Sequence, residues 1–116
     1  MLTGQVINVD TQRCIISKVF KANNVWERAR GLLARKALDT GEGFWLEPCP
    51  SVHTIGIRYA LDIIFLDCDG RVKKITRNLR PMRFAVCSNA TVSLELLAGQ
   101  ATSLQITQGM RLIWKD

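Results

Sequence analysis

Polar interruptions cut this chain into short apolar runs, and the period inside each run predicts an element. Gln5–Val9 and Cys14–Phe20 carry many β-branched residues and flank Asp10-Thr11-Gln12-Arg13, a gap of hairpin size, so two strands are expected. The period then changes. Asn24-Val25-Trp26-Glu27 fits a capping box, and Val25, Ala29, Leu32 and Leu33 recur at helical spacing, which predicts an amphipathic helix over about 25–35. Residues 36–42 read as a loop that ends in Gly41-Glu42-Gly43, and Phe44-Trp45-Leu46 as a short strand. Prolines 48 and 50 remove ladder donors, so Pro48-Cys49-Pro50-Ser51 is not a regular central strand, and His53-Thr54-Ile55-Gly56 continues that irregular segment.

The second half is more regular. Leu61–Asp67 reads as a strand buried on both faces, interrupted by Asp62. Asp69-Gly70 is a hairpin turn, Arg71–Leu79 the return strand, and Pro81 its end. Ala90–Leu97 is a further strand, followed by a short helical turn near 99–104 and a last strand after Gly109. About seven strands and one good helix make an α+β domain, mainly antiparallel β, in the form of a small curled sheet or partly closed barrel. Its 116 residues, 47% of them hydrophobic, fit a single domain over 1–116 that can bury a core without disulfides.

Charge adds one question. The formal net charge is +6, which raises the expectation of an anionic partner such as nucleic acid or a membrane surface. The cations fall in two groups, Arg28 to Lys36 and Arg71, Lys73, Lys74, Arg77, Arg80 and Arg83. No aromatic residue lies between Arg71 and Arg83, so the stacking platform of a single-strand binder is missing there, and a solvated surface is the plainer reading.

The candidate chemistry lies in few residues. The four cysteines, at 14, 49, 68 and 87, form no Cys-x-x-Cys, so zinc-ribbon and thioredoxin readings lose their basis, and no metal or cofactor is expected. Cys14 and Cys87 sit among apolar neighbours and read as small hydrophobes. Asp10 and Arg13 interrupt the N-terminus before any signal-like apolar region, and Ile63–Leu66 is far shorter than the roughly 20 residues of a membrane span. A cytoplasmic protein without a transmembrane segment is therefore expected.

His53 is the only histidine. It lies four residues from Cys49, between Ser51-Val52 and Thr54, where an imidazolium could stabilise a thiolate. Asp62 and Glu95 each interrupt an apolar strand, and a carboxylate there needs a partner. If they converged, one could carry a raised pKa and act as acid or base; the structural alternative is that each binds backbone amides or an arginine.

These same residues carry a family resemblance. Glu27-Arg28-Ala29-Arg30-Gly31-Leu32, then Cys49-Pro50-Ser51-Val52-His53-Thr54-Ile55-Gly56-Ile57-Arg58 through Asp62 to Asp67, Leu94-Glu95-Leu96-Leu97-Ala98-Gly99, and Ile106-Thr107-Gln108-Gly109 resemble, in order, four motifs of the bacterial and archaeal family called domain of unknown function 192. The match runs over about residues 20–114. Ala60 replaces a usual proline and Met110 a usual aspartate. The resemblance implies a mainly β fold with one flanking helix and no assigned activity. Through relatives that carry export signals or are encoded near secretion and pilus genes, it implies an accessory role in secretion or pilus assembly.

The leading functional reading is a non-enzymatic module that binds a small molecule, peptide or protein, with Cys49, Ser51, His53, Thr54, Arg58, Asp62 and Glu95 as ligand-binding candidates. One alternative is a small enzyme using Cys49 and His53 with Asp62 and Glu95. The other is a basic anion- or nucleic-acid-binding surface at Arg71–Arg83.

Overall fold

The computed structural model describes residues 1–22 and 38–116, and nine short strands among them build the fold, the central ones buried along nearly their whole length. The strands are β1 (Leu2–Asn8), β2 (Arg13–Lys21), β3 (Glu42–Leu46), β4 (Ser51–His53), β5 (Leu61–Leu66), β6 (Val72–Leu79), β7 (Phe84–Val86), β8 (Val92–Leu97) and β9 (Leu112–Lys115). A single turn of helix, α1 (Gln100–Ser103), follows β8. The helix expected over about 25–35 lies outside the described residues.

Seven strands form one sheet in the order β6-β5-β8-β3-β2-β1-β9, and β4 pairs with β7 as a separate ribbon. All pairings are antiparallel except β2 with β3. The sheet does not close. Its two edges meet at one corner, where Arg71 and Arg111 form an isolated bridge and the Leu112 amide donates to the Gly70 carbonyl.

The two faces of the sheet carry separate apolar clusters. One holds Val6, Ile16, Val19, Trp45, Ile64, Leu66, Leu94, Leu96 and Leu112, together with Ala101 of α1 and Ile106. The other holds Phe44, Leu46, Leu61, Ile63 and Phe65, covered by Val52 and Ala85 of the ribbon and by Leu38 and Ile57. Because both faces are covered, every residue of β5 is buried, Asp62 included.

The ribbon is the main departure from the expected elements. Val52 and Ala85 point inward and the residues on either side point out, so three-residue alternation suffices once the sheet supplies an apolar face. A second departure concerns Cys14. It lies exposed on β2 rather than acting as a small core hydrophobe, because a register shift pairs Cys14 with Ile7 and Ile16 with Val6, which turns the two to opposite faces and leaves the inward place to Ile16. Cys87 does pack against the core.

Candidate functional site

Register decides which of the sequence-predicted residues can meet. Leu96 stands opposite Asp62 and Glu95 opposite Ile63. Paired residues share a face and neighbours along a strand alternate, so Asp62 and Glu95 point to opposite sides of the sheet.

Asp62 is 1% exposed and fully engaged. Its Oδ1 accepts from the Asn78 amide at 2.9 Å, and its Oδ2 from the Gly99 and Ala101 amides at 3.0 and 2.9 Å. Asn78 sits in a β6 bulge with φ of 54°, and Gly99 enters α1 with φ of 92°. The carboxylate thus ties a bulge and the first turn of a helix to the middle of the sheet, where β-ladder partners cannot reach those amides.

Glu95 has the opposite character. Its row across the sheet runs Thr76, Ile63, Glu95, Phe44, Phe20. It is 5% exposed, and its Oε1 has no hydrogen-bond partner among the described residues. Burial among Phe44 and Ile63 pushes its carboxyl up to about 8, because the charged form loses its hydration without a compensating donor.

The segment from Cys49 to Thr54 lies on the Glu95 side. Ser93, two residues before Glu95, donates through Oγ to the Cys49 carbonyl, and the Cys49 amide donates to the Thr91 carbonyl. The Cys49 thiol donates to the Ser51 carbonyl at 2.9 Å. Ser51 and His53 face outward on β4, and the His53 ring meets Phe84 edge-on at a centroid distance of 6.3 Å. Thiol and imidazole therefore turn to different partners. Thr54 is fully buried and serves the backbone: its hydroxyl donates to the Arg80 carbonyl and accepts from the Arg83 amide, which clamps the loop at 80–83. Arg58 is exposed in the loop that follows. Among the described residues, no three His, Cys, Asp or Glu side chains are grouped so as to hold a metal ion.

Exposure and partners lead to an expected order of thiol reactivity. Cys14 and Cys68, both exposed, should alkylate faster than Cys49 and Cys87, which are half-buried. Replacing His53 with alanine should leave the Cys49 rate unchanged. Residue-resolved alkylation followed by mass spectrometry checks both statements, and a His53-dependent Cys49 would revive the thiol-enzyme reading.

Sequence reasoning missed a surface next to this segment. On β7, Phe84 and Val86 point outward beside Ser51 and His53, and Phe84 is 73% exposed. Met82, 62% exposed, holds the tip of the clamped loop at φ of 64°, a left-handed conformation that costs a non-glycine residue about 1 kcal/mol. The β6 cations border this ribbon: the Lys74 ammonium donates to the Val86 carbonyl at 2.9 Å, and Arg77, Arg80 and Arg83 line one cleft of about 300 Å³ with Asn78 and Leu79. Arg77 and Arg80 make no ion pair among the described residues. From Gly70 to Leu94 the chain has six cations and no acid. The aromatic expected to be missing is thus supplied by Phe84, one residue past Arg83.

A larger cleft, about 350 Å³, opens where β5 runs out and β8 begins, lined by Lys21, Trp45, Glu47, Asp67, Arg111 and Trp114 among others. Several of its polar groups are already engaged. Lys21 lies 5.0 Å from the Trp114 ring centroid, the Trp45 indole donates to Glu47, and the Arg111 guanidinium donates to the Asp69 carbonyl. The Arg71 amide beside Asp67 holds that carboxyl below the usual range. This cleft reads as the finished mouth of the sheet.

Two solved structures share the fold. One is a "putative transcription regulator" from Sinorhizobium meliloti 1021, with a TM-score of 0.81 and 22% identity over 97% of this chain and 94% of that one. The other is a protein of unknown function from Novosphingobium aromaticivorans DSM 12444, with a TM-score of 0.76 and 24% identity over 97% and 84% of the two chains. No curated protein matches the chain. No described helix is long and apolar enough to cross a membrane. The model of one family, DUF192, described as "Uncharacterized ACR", matches residues 6–114, and the chain belongs to that family.

Proposed function

We propose that this domain is a non-catalytic docking module that holds a polyanionic partner on the surface formed by β6, the loop at 80–83 and the outer face of the ribbon. One observation carries the reading: Arg77, Arg80 and Arg83 line one cleft, within a stretch of the chain that holds no acid. A solvated surface that serves solubility alone intersperses both signs. A single-sign patch beside low-dielectric walls concentrates potential and draws oppositely charged partners. Ser51 and His53 face outward on the same ribbon, so part of the candidate ligand-binding segment belongs to the proposed surface.

The test uses heparin as the polyanion. The parent protein should be retained on immobilised heparin at low salt. The variant Arg77→Gln/Arg80→Gln/Arg83→Gln should elute at clearly lower salt than Arg13→Gln/Lys18→Gln/Lys115→Gln, which removes the same charge from β2 and β9. Equal elution of the two variants would reduce the patch to net charge and overturn the reading.

A further inference from the structure

The cations on this surface are accompanied by apolar side chains that a soluble polyanion does not need. Met82 and Phe84 are the most exposed large hydrophobic residues described, and Val86 and Ile55 are exposed with them. Their presentation is fixed by the backbone. The Thr54 hydroxyl engages both the Arg80 carbonyl and the Arg83 amide, and the Thr54 amide donates to the Arg83 carbonyl. The Met82 amide donates back to the Thr54 carbonyl at 3.3 Å, so the loop holds its apolar tip outward in a left-handed conformation. Pairing of β4 with β7 gives the outward direction of Phe84 and Val86 the same rigidity.

We infer that the partner of this surface is an anionic lipid bilayer, with Met82 and Phe84 entering the headgroup–acyl boundary while Lys74, Arg77, Arg80 and Arg83 meet the lipid phosphates. The inference rests on the docking reading above and names its partner. Interfacial binding combines buried apolar area with attraction to anionic lipid, and both parts are present on one surface. Charge complementarity favours an anionic target. Aliphatic Met82, Val86 and Ile55 separate a bilayer from a nucleic acid, because they offer a base no stacking face yet partition into acyl chains. Phe84, the aromatic among them, already has the His53 ring against it.

The experiment is sedimentation of the full chain with vesicles of mixed phosphatidylserine and phosphatidylcholine, or of phosphatidylcholine alone. The expected result is salt-sensitive binding to the mixed vesicles and none to the neutral ones. Each of Arg77→Gln and Arg80→Gln should weaken binding about fivefold, the factor that corresponds to one charge near an anionic surface. Met82→Ser/Phe84→Ser keeps every cation and removes only exposed side chains, so the fold is expected to survive, as its far-ultraviolet circular dichroism should confirm. It should weaken vesicle binding about tenfold or more while heparin retention stays unchanged. That split separates the two readings. If heparin retention depends on the arginines but mixed vesicles do not bind, or bind equally after Met82→Ser/Phe84→Ser, the bilayer inference falls and the docking reading stands. Tighter binding to a single-stranded oligonucleotide than to vesicles at equal phosphate concentration would also overturn it, in favour of nucleic acid.

Discussion

Asp62→Ala is expected to remove about 3–5 kcal/mol of folding stability, a large share of what a domain of this size holds. The magnitude follows from what the carboxylate does. It accepts three backbone N–H groups from two separate elements, the β6 bulge at Asn78 and the entry to α1 at Gly99 and Ala101. Hydrogen bonds to a charged acceptor contribute more than neutral ones, and a buried amide left without a partner costs free energy of its own. Alanine removes the acceptor and leaves three such donors in a site that is 1% exposed. Asp62→Asn should recover only part of the loss, because its amide nitrogen cannot accept and must face at least one of the three donors. Urea denaturation measures the loss. Hydrogen exchange locates it: the amides of Asn78, Gly99 and Ala101 should lose protection ahead of the neighbouring ladder. A loss below about 1 kcal/mol would mean that the three amides find other partners, and this account of Asp62 would be wrong.

That role shows what can be read from a sequence and what cannot. Asp62 and Glu95 are visible as oddities because each breaks an apolar strand, and their burial follows from the runs around them. Their relation does not. It depends on the register between β5 and β8, and a one-residue slip would put both carboxyls on the same face. Local pattern places β1, β2, β5, β6, β8 and α1 close to where they lie, because each has its own periodicity or turn signal. The strand order is beyond it, since the parallel pairing of β2 with β3 is a long-range choice. The ribbon is also hard to see. Three residues are too few to establish a period, and β4 follows two prolines. The exposed surface was missed for the same reason. Phe84-Ala85-Val86 reads as apolar throughout, and only pairing with β4 shows that Ala85 turns inward and the other two outward.

Glu95→Gln is expected to stabilise the protein at neutral and alkaline pH and to do almost nothing at acid pH. Glu95 lies between Phe44 and Ile63 in its row, 5% exposed, with its Oε1 unpartnered among the described residues, and burial pushes its carboxyl from an ordinary 4.5 up to about 8. The folded state therefore holds this proton more tightly than the unfolded chain does. Between pH 4.5 and about 8 unfolding releases the proton, so folding stability falls as pH rises through that window and levels off on either side. At 1.36 kcal/mol per unit of pKa difference, the parent gives up on the order of 3 kcal/mol by pH 7. Glutamine has nearly the same shape and stays neutral throughout, so its variant should lack this decline. Urea midpoints at pH 5, 6.5 and 8 should separate progressively, with the variant the more stable and the m-values equal. Taking the difference between the two proteins cancels any contribution from His53, the only histidine. Asp67 does not disturb the window, because its carboxyl is held below the usual range and titrates at lower pH. Parallel profiles would mean that Glu95 is ionised in the folded protein and has a partner. A widening gap would establish that a neutral carboxylic acid sits in the middle of the sheet, retained there at a cost that the isosteric amide avoids.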